Sequence, residues 1–282
     1  MIQTVKTIPE LRECLGVWRV QGDSIGLVPT MGALHDGHLS LVRLSKQKTA
    51  RTVATLFVNP AQFGPNEDLN QYPRDIAQDT AKLEAEGCDL LFLPDVGEIY
   101  PPGYVTKISV EGICDILEGE FRPGFFTGVA TVVTKLLLQA LPDIAVFGDK
   151  DYQQLQVIKR LVRDLDIPVA IEAAPTVRET DGLAMASRNA YLTPKERDIA
   201  PVLFSTLSQV AENIGRGGGD VSATEQAKWG REQLQRAGFG KVDYLTVRNA
   251  ETLEEVDNAS SPARVLVAAW LGKARLIDNV AV

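Results

Sequence analysis

Residues 25–38 read IGLVPTMGALHDGH, and this stretch decides the fold because it leads from an apolar strand through a glycine-containing turn into a helix. We predict a buried strand over 24–28 and an irregular turn over 29–37. Three apolar residues then follow at helical spacing: Leu39, Val42 and Leu44. Such a turn presents backbone N–H groups at a helix N-terminus, where unpaired donors and the helix dipole favour a phosphate group. The stretch therefore predicts a phosphate-binding turn at the end of a strand.

The chain contains two histidines, His35 and His38, and both lie in this turn. An imidazole can donate a hydrogen bond to a phosphoryl oxygen while negative charge develops there. Gly32 and Gly37 allow the main chain to approach a ligand closely and to adopt positive φ. Two other interpretations stay open, since the pair could also be ordinary surface-turn histidines or half of a metal site.

Three cysteines are scattered along the chain without the spacing of a metal site: Cys14, Cys88 and Cys114. They fit a reducing compartment, and the simplest account of all three is that they are small buried hydrophobic side chains. The sequence therefore offers the two histidines no evident partners for a zinc ion.

Composition narrows the class of protein. The chain has 282 residues, 45% hydrophobic and 23% charged, which is typical of a soluble globular protein with one large domain or two modest ones. A net charge of −8 argues against nucleic acid as the main partner, because phosphate backbones are bound by broad basic surfaces. No stretch is apolar enough to span a bilayer, and the first residues lack the apolar core of a signal peptide. We therefore predict a cytoplasmic protein with no membrane partner.

Apolar strand patterns alternate with helical patterns over the first part of the chain. The strands are predicted at 24–28, 52–58, 89–93, 143–147 and 168–171. The helices are predicted near 38–48, 74–86, 127–140 and 150–164. This alternation indicates an α/β fold, a doubly wound parallel sheet whose ligand lies at the carboxyl ends of the strands. We assign this domain to residues 1–175.

The pattern changes after residue 175. Thr193 and Glu196 form a capping box, so a helix is predicted from Pro194 toward Ile214. A glycine-rich break at 215–220 follows it. The remaining segments are a helix over 221–237, strands over 241–247 and 264–270, and a final segment over 277–282. These elements predict a smaller α+β domain over 176–282.

Residues 57–64, FVNPAQFG, leave a strand and enter a loop. Asn59 and Gln62 offer paired donors and acceptors for a small polar substrate, framed by the rings of Phe57 and Phe63. Ordinary turn chemistry also accounts for this segment, because Asn-Pro is a common breaker of secondary structure.

Residues 147–154, FGDKDYQQ, begin another helix. Asp149 is a suitable N-cap, but Lys150 in the first turn opposes the helix dipole unless an anion lies beside it. A phosphate therefore explains Lys150 better than helix stability does, and Gln154 lies on the same helix face. The alternative is a solvated helix start.

Two further segments carry candidate cations. In 175–189, Ser187 and Arg188 can supply a hydroxyl and a guanidinium to phosphate oxygens, and Gly182 gives the loop freedom to close over a ligand. The alternative is a polar linker between domains. In 121–128, Arg122 faces either an acidic substrate or the solvent, and the sequence does not decide between them.

Taken together, these motifs resemble one family. The segments that carry the resemblance are, in order, PTMGALHDGH, FVNPAQF with DLNQYPRD, RPGFFTGVATVVTKL, FGDKDYQQL and PTVRETDGLAMASRN. They resemble the pantothenate synthetases (pantoate–β-alanine ligases) from about residue 20 to 200. The first motif is similar to the HIGH signature of the nucleotidylyltransferases, and MASRN is similar to their second, lysine- and serine-rich loop.

The resemblance implies a two-step ligation. ATP and pantoate would give pantoyl adenylate and pyrophosphate, and β-alanine would then attack the adenylate to give pantothenate and AMP. It also implies a need for Mg²⁺, a homodimer, a Rossmann-like domain over 1–175 that binds nucleotide and pantoate, and a smaller lid domain over 176–282.

The resemblance also implies site residues. His38 matches the proton donor, and the chemistry of imidazole and ammonium groups adds His35 and Lys150 as catalytic donors. Gln62 matches a contact to pantoate and β-alanine, Gln154 a contact to pantoate, and Asn59 is a further candidate beside Gln62. The ATP-binding residues would be Met31, Gly32, Ala33, Leu34, His35, Asp36, Gly37, His38, Gly148, Asp149, Lys150, Asp151, Val177, Met185, Ala186, Ser187 and Arg188. No protein ligand to the metal is indicated.

The chain departs from the family pattern at two positions. Many relatives carry serine where this chain has Ala186, and histidine where it has Phe125. Two other functions fit part of the pattern. One is a nucleotidylyltransferase that acts on a phosphate ester, which would leave no AMP. The other is a nucleotide-binding regulatory module without turnover. The presence of FVNPAQF and DKDYQQL favours the ligase over the first, and the full set of donors favours it over the second.

Overall fold

The structure is a computed structural model that describes residues 2–65, 67, 69, 72–217, 221–258 and 262–282. Two stretches discussed above lie partly outside the described residues: DLNQYPRD at 68, 70 and 71, and the glycine run at 218–220. The strands are β1 (Gln3–Val5), β2 (Ile25–Thr30), β3 (Arg51–Leu56), β4 (Leu90–Phe92), β5 (Ile144–Gly148), β6 (Ala170–Ala174), β7 (Val242–Asn249), β8 (Ala263–Leu271) and β9 (Ala274–Ala281).

The helices are α1 (Ile8–Val20), α2 (Asp36–Lys48), α3 (Ile76–Ala85), α4 (Val96–Ile99), α5 (Glu118–Phe121), α6 (Phe125–Ala140), α7 (Tyr152–Asp164), α8 (Pro194–Ile199), α9 (Val202–Gly217) and α10 (Ala223–Ala237). Short 3-10 turns cover Pro60–Gln62, Asp149–Asp151 and Ser187–Tyr191. None of the described helices is both long enough and apolar enough to cross a membrane.

The larger sheet is parallel. Among the described residues it has six strands in the order β1-β4-β3-β2-β5-β6. The chain runs outward from β2 through β3 to β4 on one side, and through β5 to β6 on the other. The strand order therefore reverses between β2 and β5, and in such sheets the carboxyl ends at the reversal point form the ligand crevice. The predicted fold class is confirmed.

Gly26 in β2 permits the close packing of α2 on this sheet. A Cβ at this position would lie 2.1 Å from Ser45 Oγ and 2.8 Å from Thr49 Oγ1, so no side chain fits there. Ser45 is buried and its hydroxyl forms a 2.8 Å hydrogen bond with the hydroxyl of Thr52. This packing fixes the helix against β2, whose carboxyl end leads into the helix N-terminus.

The smaller sheet is antiparallel, with β8 between β7 and β9. The helix α9 packs on β8 and β9, and α10 packs on α9 and β7. Their common core is built from buried aliphatic residues, among them Leu207, Val210, Leu245, Val265 and Val267. A three-stranded sheet with two helices is thus the α+β arrangement that the sequence predicted for this part of the chain.

The helix predicted from Pro194 toward Ile214 is wrong in its extent, because the structure divides it into α8 and α9. The break lies at Ala200 and Pro201. Proline lacks a backbone N–H and is tolerated at the start of a helix, so Pro201 ends one helix and begins the next.

Two more differences concern helix starts. The helix α1 was missed, although Thr7 and Glu10 form a full capping box before it and Pro9 lies in its first turn. Asp149 was predicted to cap α7, but it is the first residue of a 3-10 turn that precedes the helix. The cap prediction was wrong because the tighter turn takes up the residues that the sequence pattern assigned to the first helical turn.

The chain forms two compact units. The first comprises Met1–Asp149 and Val157–Pro175, and the second comprises Lys150–Gln156 and Thr176–Val282. The start of α7 thus belongs to the second unit and its remainder to the first.

Candidate active site

The HDGH turn lies at the reversal point of the parallel sheet. The strand β2 ends at Thr30, and α2 begins at Asp36 with His35 as its N-cap. Positive φ angles occur at Gly32 (86°) and Ala33 (51°) and make the sharp bend between them. Gly37 lies within the helix, so the expected positive φ is found at Gly32 and not at Gly37.

A buried carboxylate that the sequence analysis missed holds this turn in place. Asp79 of α3 is 2% exposed, and its two oxygens accept hydrogen bonds from the backbone N–H groups of Ala33 and Leu34, both at 2.8 Å. Lys82, three residues after Asp79 in the same helix, donates a hydrogen bond from Nζ to the Leu34 carbonyl oxygen at 2.6 Å. The one signal in the sequence is an aspartate four residues before buried Leu83, on the core-facing side of an amphipathic helix.

The two histidines cap the helix with their side chains. His35 Nδ1 accepts a hydrogen bond from the Gly37 N–H at 3.1 Å, and His38 Nδ1 faces the His35 N–H at 3.4 Å. The ring centroids are 4.1 Å apart. A nitrogen that accepts a hydrogen bond carries no proton, so each neutral ring has its proton on Nε2 and can donate only from there.

The backbone donors of the turn are mostly used within the protein. Hydrogen bonds from the N–H groups of residues 32–35 and 37–39 are made to side chains or carbonyl oxygens of the same unit. In the described part of the chain, Asp36 is the residue of this run whose N–H has no protein acceptor. The expectation that the turn presents several unpaired N–H groups is therefore wrong, because Asp79 and the histidine caps take them.

A polar network connects this turn with the second candidate segment. Asn59 is buried, and its Nδ2 donates to Gln62 Oε1 at 2.9 Å. The Gln62 Nε2 donates to Met31 Sδ at 3.1 Å, and the Tyr100 hydroxyl donates to Asn59 Oδ1 at 2.8 Å. Burial raises the pKa of the Tyr100 hydroxyl well above its ordinary value, so it stays a donor. Asn59 thus orients Gln62, and Tyr100 orients Asn59.

Gly128 allows α6 to lie directly against this network. A Cβ on Gly128 would be 2.2 Å from the Ala61 carbonyl oxygen and 2.7 Å from Gln62 Cα. The Gly128 carbonyl oxygen also accepts a hydrogen bond from Asn59 Nδ2 at 3.1 Å. The glycine is therefore required by a backbone contact, although it interrupts an otherwise apolar helix.

Gln62 lines a cavity of about 840 Å³ in the first unit. Aromatic and aliphatic groups make up much of its wall, and Arg122, Lys107 and Glu67 supply charge. This is the size and lining expected of a site for a small molecule.

Arg122 lines this cavity and is mostly buried. Its guanidinium pairs with Glu67 through two hydrogen bonds of 2.7 Å, and it lies 3.7 Å above the ring of Phe125. The aromatic ring of Phe125 therefore provides a surface on which the guanidinium stacks.

In the second unit, Lys150 lies in the 3-10 turn before α7 and is half-buried. Its carbonyl oxygen accepts a hydrogen bond from Asn279 Nδ2 of β9 at 2.9 Å. Two residues further on, the Tyr152 hydroxyl donates to the Ala250 carbonyl oxygen at 2.6 Å, and Arg264 lies 3.9 Å above the Tyr152 ring. The backbone that carries Lys150 is therefore held on both sides by the smaller sheet.

The segment PTVRETDGLAMASRN forms a hairpin followed by a 3-10 turn. The Met185 N–H donates to the Val177 carbonyl oxygen at 3.0 Å, which brings together two predicted ATP-binding residues. Gly182 has a φ of 93°, and a Cβ there would lie 2.6 Å from Phe204 Cδ1. The structure therefore gives this glycine a role in a packed turn, and closure of the loop stays a prediction.

The remaining predicted residues are placed as follows. Ala186, Ser187 and Arg188 lie at the start of the 3-10 turn, all half-buried, and Asp151 and Gln154 lie at the start of α7, Gln154 half-buried and Asp151 exposed. The predicted site residues of the first unit are 31–38, Asn59, Gln62, Gly148 and Asp149, and the other predicted site residues belong to the second. The described residues contain no group of three or more His, Cys, Asp or Glu side chains placed to hold a metal ion.

Comparison with known proteins gives a consistent result. A family model described as pantoate-beta-alanine ligase matches residues 3–281. The pantothenate synthetase of Rhodospirillum rubrum is 55% identical over 98% of this chain and 98% of its own length, and that of Caulobacter vibrioides is 52% identical over 99% and 98%. A crystal structure of the Thermus thermophilus pantothenate synthetase is 47% identical, with a TM-score of 0.92 over 99% of both chains. A Francisella tularensis pantoate-beta-alanine ligase, complexed with beta-gamma ATP and beta-alanine, is 34% identical, with a TM-score of 0.81 over 100% of this chain and 98% of that one.

Proposed function

The chain belongs to the pantoate–β-alanine ligase family, and from this premise we propose that it condenses pantoate with β-alanine, using ATP, to give pantothenate, AMP and pyrophosphate. One observation carries the proposal beyond family membership. Gln62 lines the 840 Å³ cavity, and its amide also donates to Met31 of the turn at the reversal point of the sheet. A single side chain thus joins a small-molecule cavity to a phosphate-binding position, as the transfer of an adenylyl group to a carboxylate requires.

ATP binds at the HDGH turn. The turn follows β2, and Gly148 is the last residue of β5; these two strands flank the reversal of strand order. The Asp36 N–H and the imidazoles of His35 and His38 are the donors that this turn directs to phosphoryl oxygens in the proposal. Lys150, Ser187 and Arg188 of the second unit supply the remaining charge and hydroxyl to the same nucleotide.

Pantoate binds in the cavity beside Gln62. Its branched carbon skeleton suits the aromatic and aliphatic lining, and the Gln62 amide fixes its polar end. Because Asn59 donates a hydrogen bond to Gln62 and is itself held by the Tyr100 hydroxyl, the Gln62 amide is oriented before the substrate arrives. Gln154 makes a further contact to pantoate, and Gln62 also contacts β-alanine.

In the first step the pantoate carboxylate oxygen attacks the α-phosphorus of ATP, and the bond to the β-phosphoryl oxygen breaks to release pyrophosphate. Negative charge grows on the phosphoryl oxygens during this step. His38 donates a hydrogen bond that stabilises this charge, and His35 and Lys150 add to it. In the second step the amine of β-alanine attacks the acyl carbon, loses a proton and displaces AMP.

Mg²⁺ accompanies ATP in this proposal. Magnesium ions in nucleotide sites are held largely by the phosphate oxygens and water, and the described residues include no acidic or histidine cluster that would hold the ion alone. When bound, the ion would neutralise phosphate charge. We further propose that the protein is a cytoplasmic homodimer. In each chain, residues 1–175 bind nucleotide and pantoate, and residues 176–282 act as a lid. The HDGH motif is a variant of the HIGH signature in this proposal.

The test is AMP formation from ATP, measured with pantoate and β-alanine present and with each omitted in turn. We expect rapid AMP formation only with both substrates, and exchange of pyrophosphate into ATP with pantoate alone. AMP formation that ignores both substrates would contradict the proposal. Pyrophosphate release from a phosphate ester without AMP would favour a nucleotidylyltransferase instead.

A further inference from the structure

We propose that two adjacent residues of the C-terminal strand, Asp278 and Asn279, are positioning residues for ATP use, because they hold the two nucleotide-binding segments of the second unit. This inference rests on the proposed function, since it assigns a role to Lys150 and to the segment 177–188. The part of the chain that carries these two residues lies beyond the family motifs recognised in the sequence.

Asn279 holds the backbone of Lys150. It is 4% exposed, and its Nδ2 donates to the Lys150 carbonyl oxygen at 2.9 Å. Its Oδ1 accepts a hydrogen bond from Arg264, whose guanidinium stacks on the ring of Tyr152 two residues after Lys150. One amide therefore fixes both the carbonyl group of Lys150 and the cation that packs on the start of α7.

Asp278 holds the hairpin that leads to Ser187 and Arg188. It is 3% exposed, and its carboxylate accepts two hydrogen bonds from the Arg178 guanidinium, at 2.6 and 2.9 Å. Arg178 also donates to the Gly182 carbonyl oxygen at 3.1 Å and lies 3.7 Å above the ring of Phe204. The pair thus ties the hairpin turn to β9.

These polar groups lie in a strand whose buried neighbours are otherwise aliphatic. A buried ion pair is a poor source of stability, because desolvation of the two charges offsets most of their attraction, and apolar residues of similar size often serve better. A role in positioning the two segments explains why these polar residues are buried in the strand, whereas a contribution to stability does not. Successive residues of a strand point to opposite faces, so one short stretch of β9 reaches two segments that are remote in sequence.

The experiment uses steady-state kinetics of AMP formation with the full chain. Asn279→Asp keeps the shape and the acceptor for Arg264 but replaces the donor to Lys150 with an oxygen. We expect kcat/KM for ATP to fall about tenfold, with the larger part in KM, while KM for β-alanine stays within about twofold. The matched control is Asp243→Asn, which breaks the buried pair with Arg275 (2.7 Å) in the same sheet and should leave KM for ATP unchanged.

A double-mutant cycle separates positioning from a general loss of stability. If Asn279 acts through Lys150, then Asn279→Asp combined with Lys150→Ala should be no more than about twofold worse than Lys150→Ala alone. The same relation is expected between Asp278→Asn and Arg188→Ala. Effects that multiply, or equal KM changes in the Asp243→Asn control, would overturn the inference. If Asn279→Asp does not fold, Asn279→Ala enters the same cycle.

The wild-type enzyme in the same assay distinguishes two failures. Absence of pantoate-dependent AMP formation in the wild type would contradict the proposed function itself. Normal wild-type activity together with unchanged ATP kinetics in the Asn279 and Asp278 variants would contradict only the positioning role.

Discussion

Two buried aspartates hold the segments that we propose to bind nucleotide, and they do so in different ways. Asp79 in the first unit accepts hydrogen bonds from two backbone N–H groups of the turn itself. Asp278 in the second unit pairs with the guanidinium of Arg178, so it holds the hairpin only through that side chain. The first carboxylate fixes main-chain atoms directly, whereas the second fixes them through a long side chain.

This difference bears on how each segment tolerates change. A carboxylate bonded to amide groups determines the backbone path within a few tenths of an ångström, because donors and acceptor are both short. A guanidinium on a flexible stem leaves more freedom, which its stacking on Phe204 only partly removes. We therefore expect the turn held by Asp79 to tolerate less change than the hairpin held by Asp278, and the predictions below test that contrast.

The largest effect is expected for a substitution of His38, in the turn that Asp79 holds. His38→Ala removes the Nε2 donor while leaving the cap by His35 Nδ1 in place. We expect the adenylation rate, measured as pyrophosphate exchange, to fall by about 10²- to 10⁴-fold with an unchanged circular dichroism spectrum. His35→Ala, which removes the helix cap, is the comparison variant and should also lower stability. Unchanged turnover in His38→Ala would show that the donor lies elsewhere.

The next effect compares the two aspartates directly. Asp79→Asn keeps the size of the side chain but turns one acceptor into a donor that faces a backbone N–H. We expect the free energy of unfolding in urea to fall by about 2–3 kcal/mol, and kcat to fall more than KM for ATP changes, because the turn itself shifts. Asp278→Asn should show the opposite split, with the larger change in KM.

If both variants changed kcat and KM in the same proportion, the contrast between a directly held and an indirectly held segment would be wrong. Asp75→Asn is a suitable control for the first variant. Asp75 also lies on the α3 side of the turn, but its carboxylate caps its own helix through the Gln78 N–H and does not contact residues 32–35.

The smallest effect concerns alkaline pH. Cys88 is buried after the end of α3, and burial raises the pKa of its thiol from 9.0 to about 11. Since the folded-state pKa is the higher one, the thiol contributes its full stability below about pH 9, and this contribution is lost as pH rises toward 11. All three cysteines lie within 1–149, so the loss should affect the first unit.

The measurement is urea unfolding at pH 8 and pH 10. Between these pH values we expect the free energy of unfolding to fall by about 1 kcal/mol more in the wild type than in Cys88→Ala. The cavity left by the substitution destabilises the variant at both pH values, so it cancels in this comparison. Equal losses in the two proteins would mean that the thiol ionises in the folded state as readily as in the unfolded chain.

Much of the fold could be predicted because its signals are local. Five strands of the parallel sheet and the helices between them follow from apolar runs and helical spacing. The strand β1 has only three residues and was missed, and α1 was missed despite the capping box of Thr7 and Glu10. The break at Pro201 was also legible in the sequence, since proline cannot continue a helix.

The candidate site was predicted less evenly. Residue types with distinctive chemistry, such as His35, His38 and Lys150, stood out by kind and position. Asp79, Tyr100 and Asn279 did not, because an aspartate on a helix, a tyrosine in a loop and an asparagine in a strand are ordinary in sequence. Their importance comes from partners 45, 41 and 129 residues away.

By itself, the sequence determined the class of sheet, the strand–turn–helix course of residues 25–48 and the family to which the chain belongs, because periodicity and motif chemistry are carried by neighbouring residues. Only the tertiary structure decided which donors of the turn remain available, how Gln62 is oriented and which strand holds Lys150. These features depend on which hydrogen-bond partners the folded chain brings together. The type of a residue does not reveal which remote group its side chain will bond.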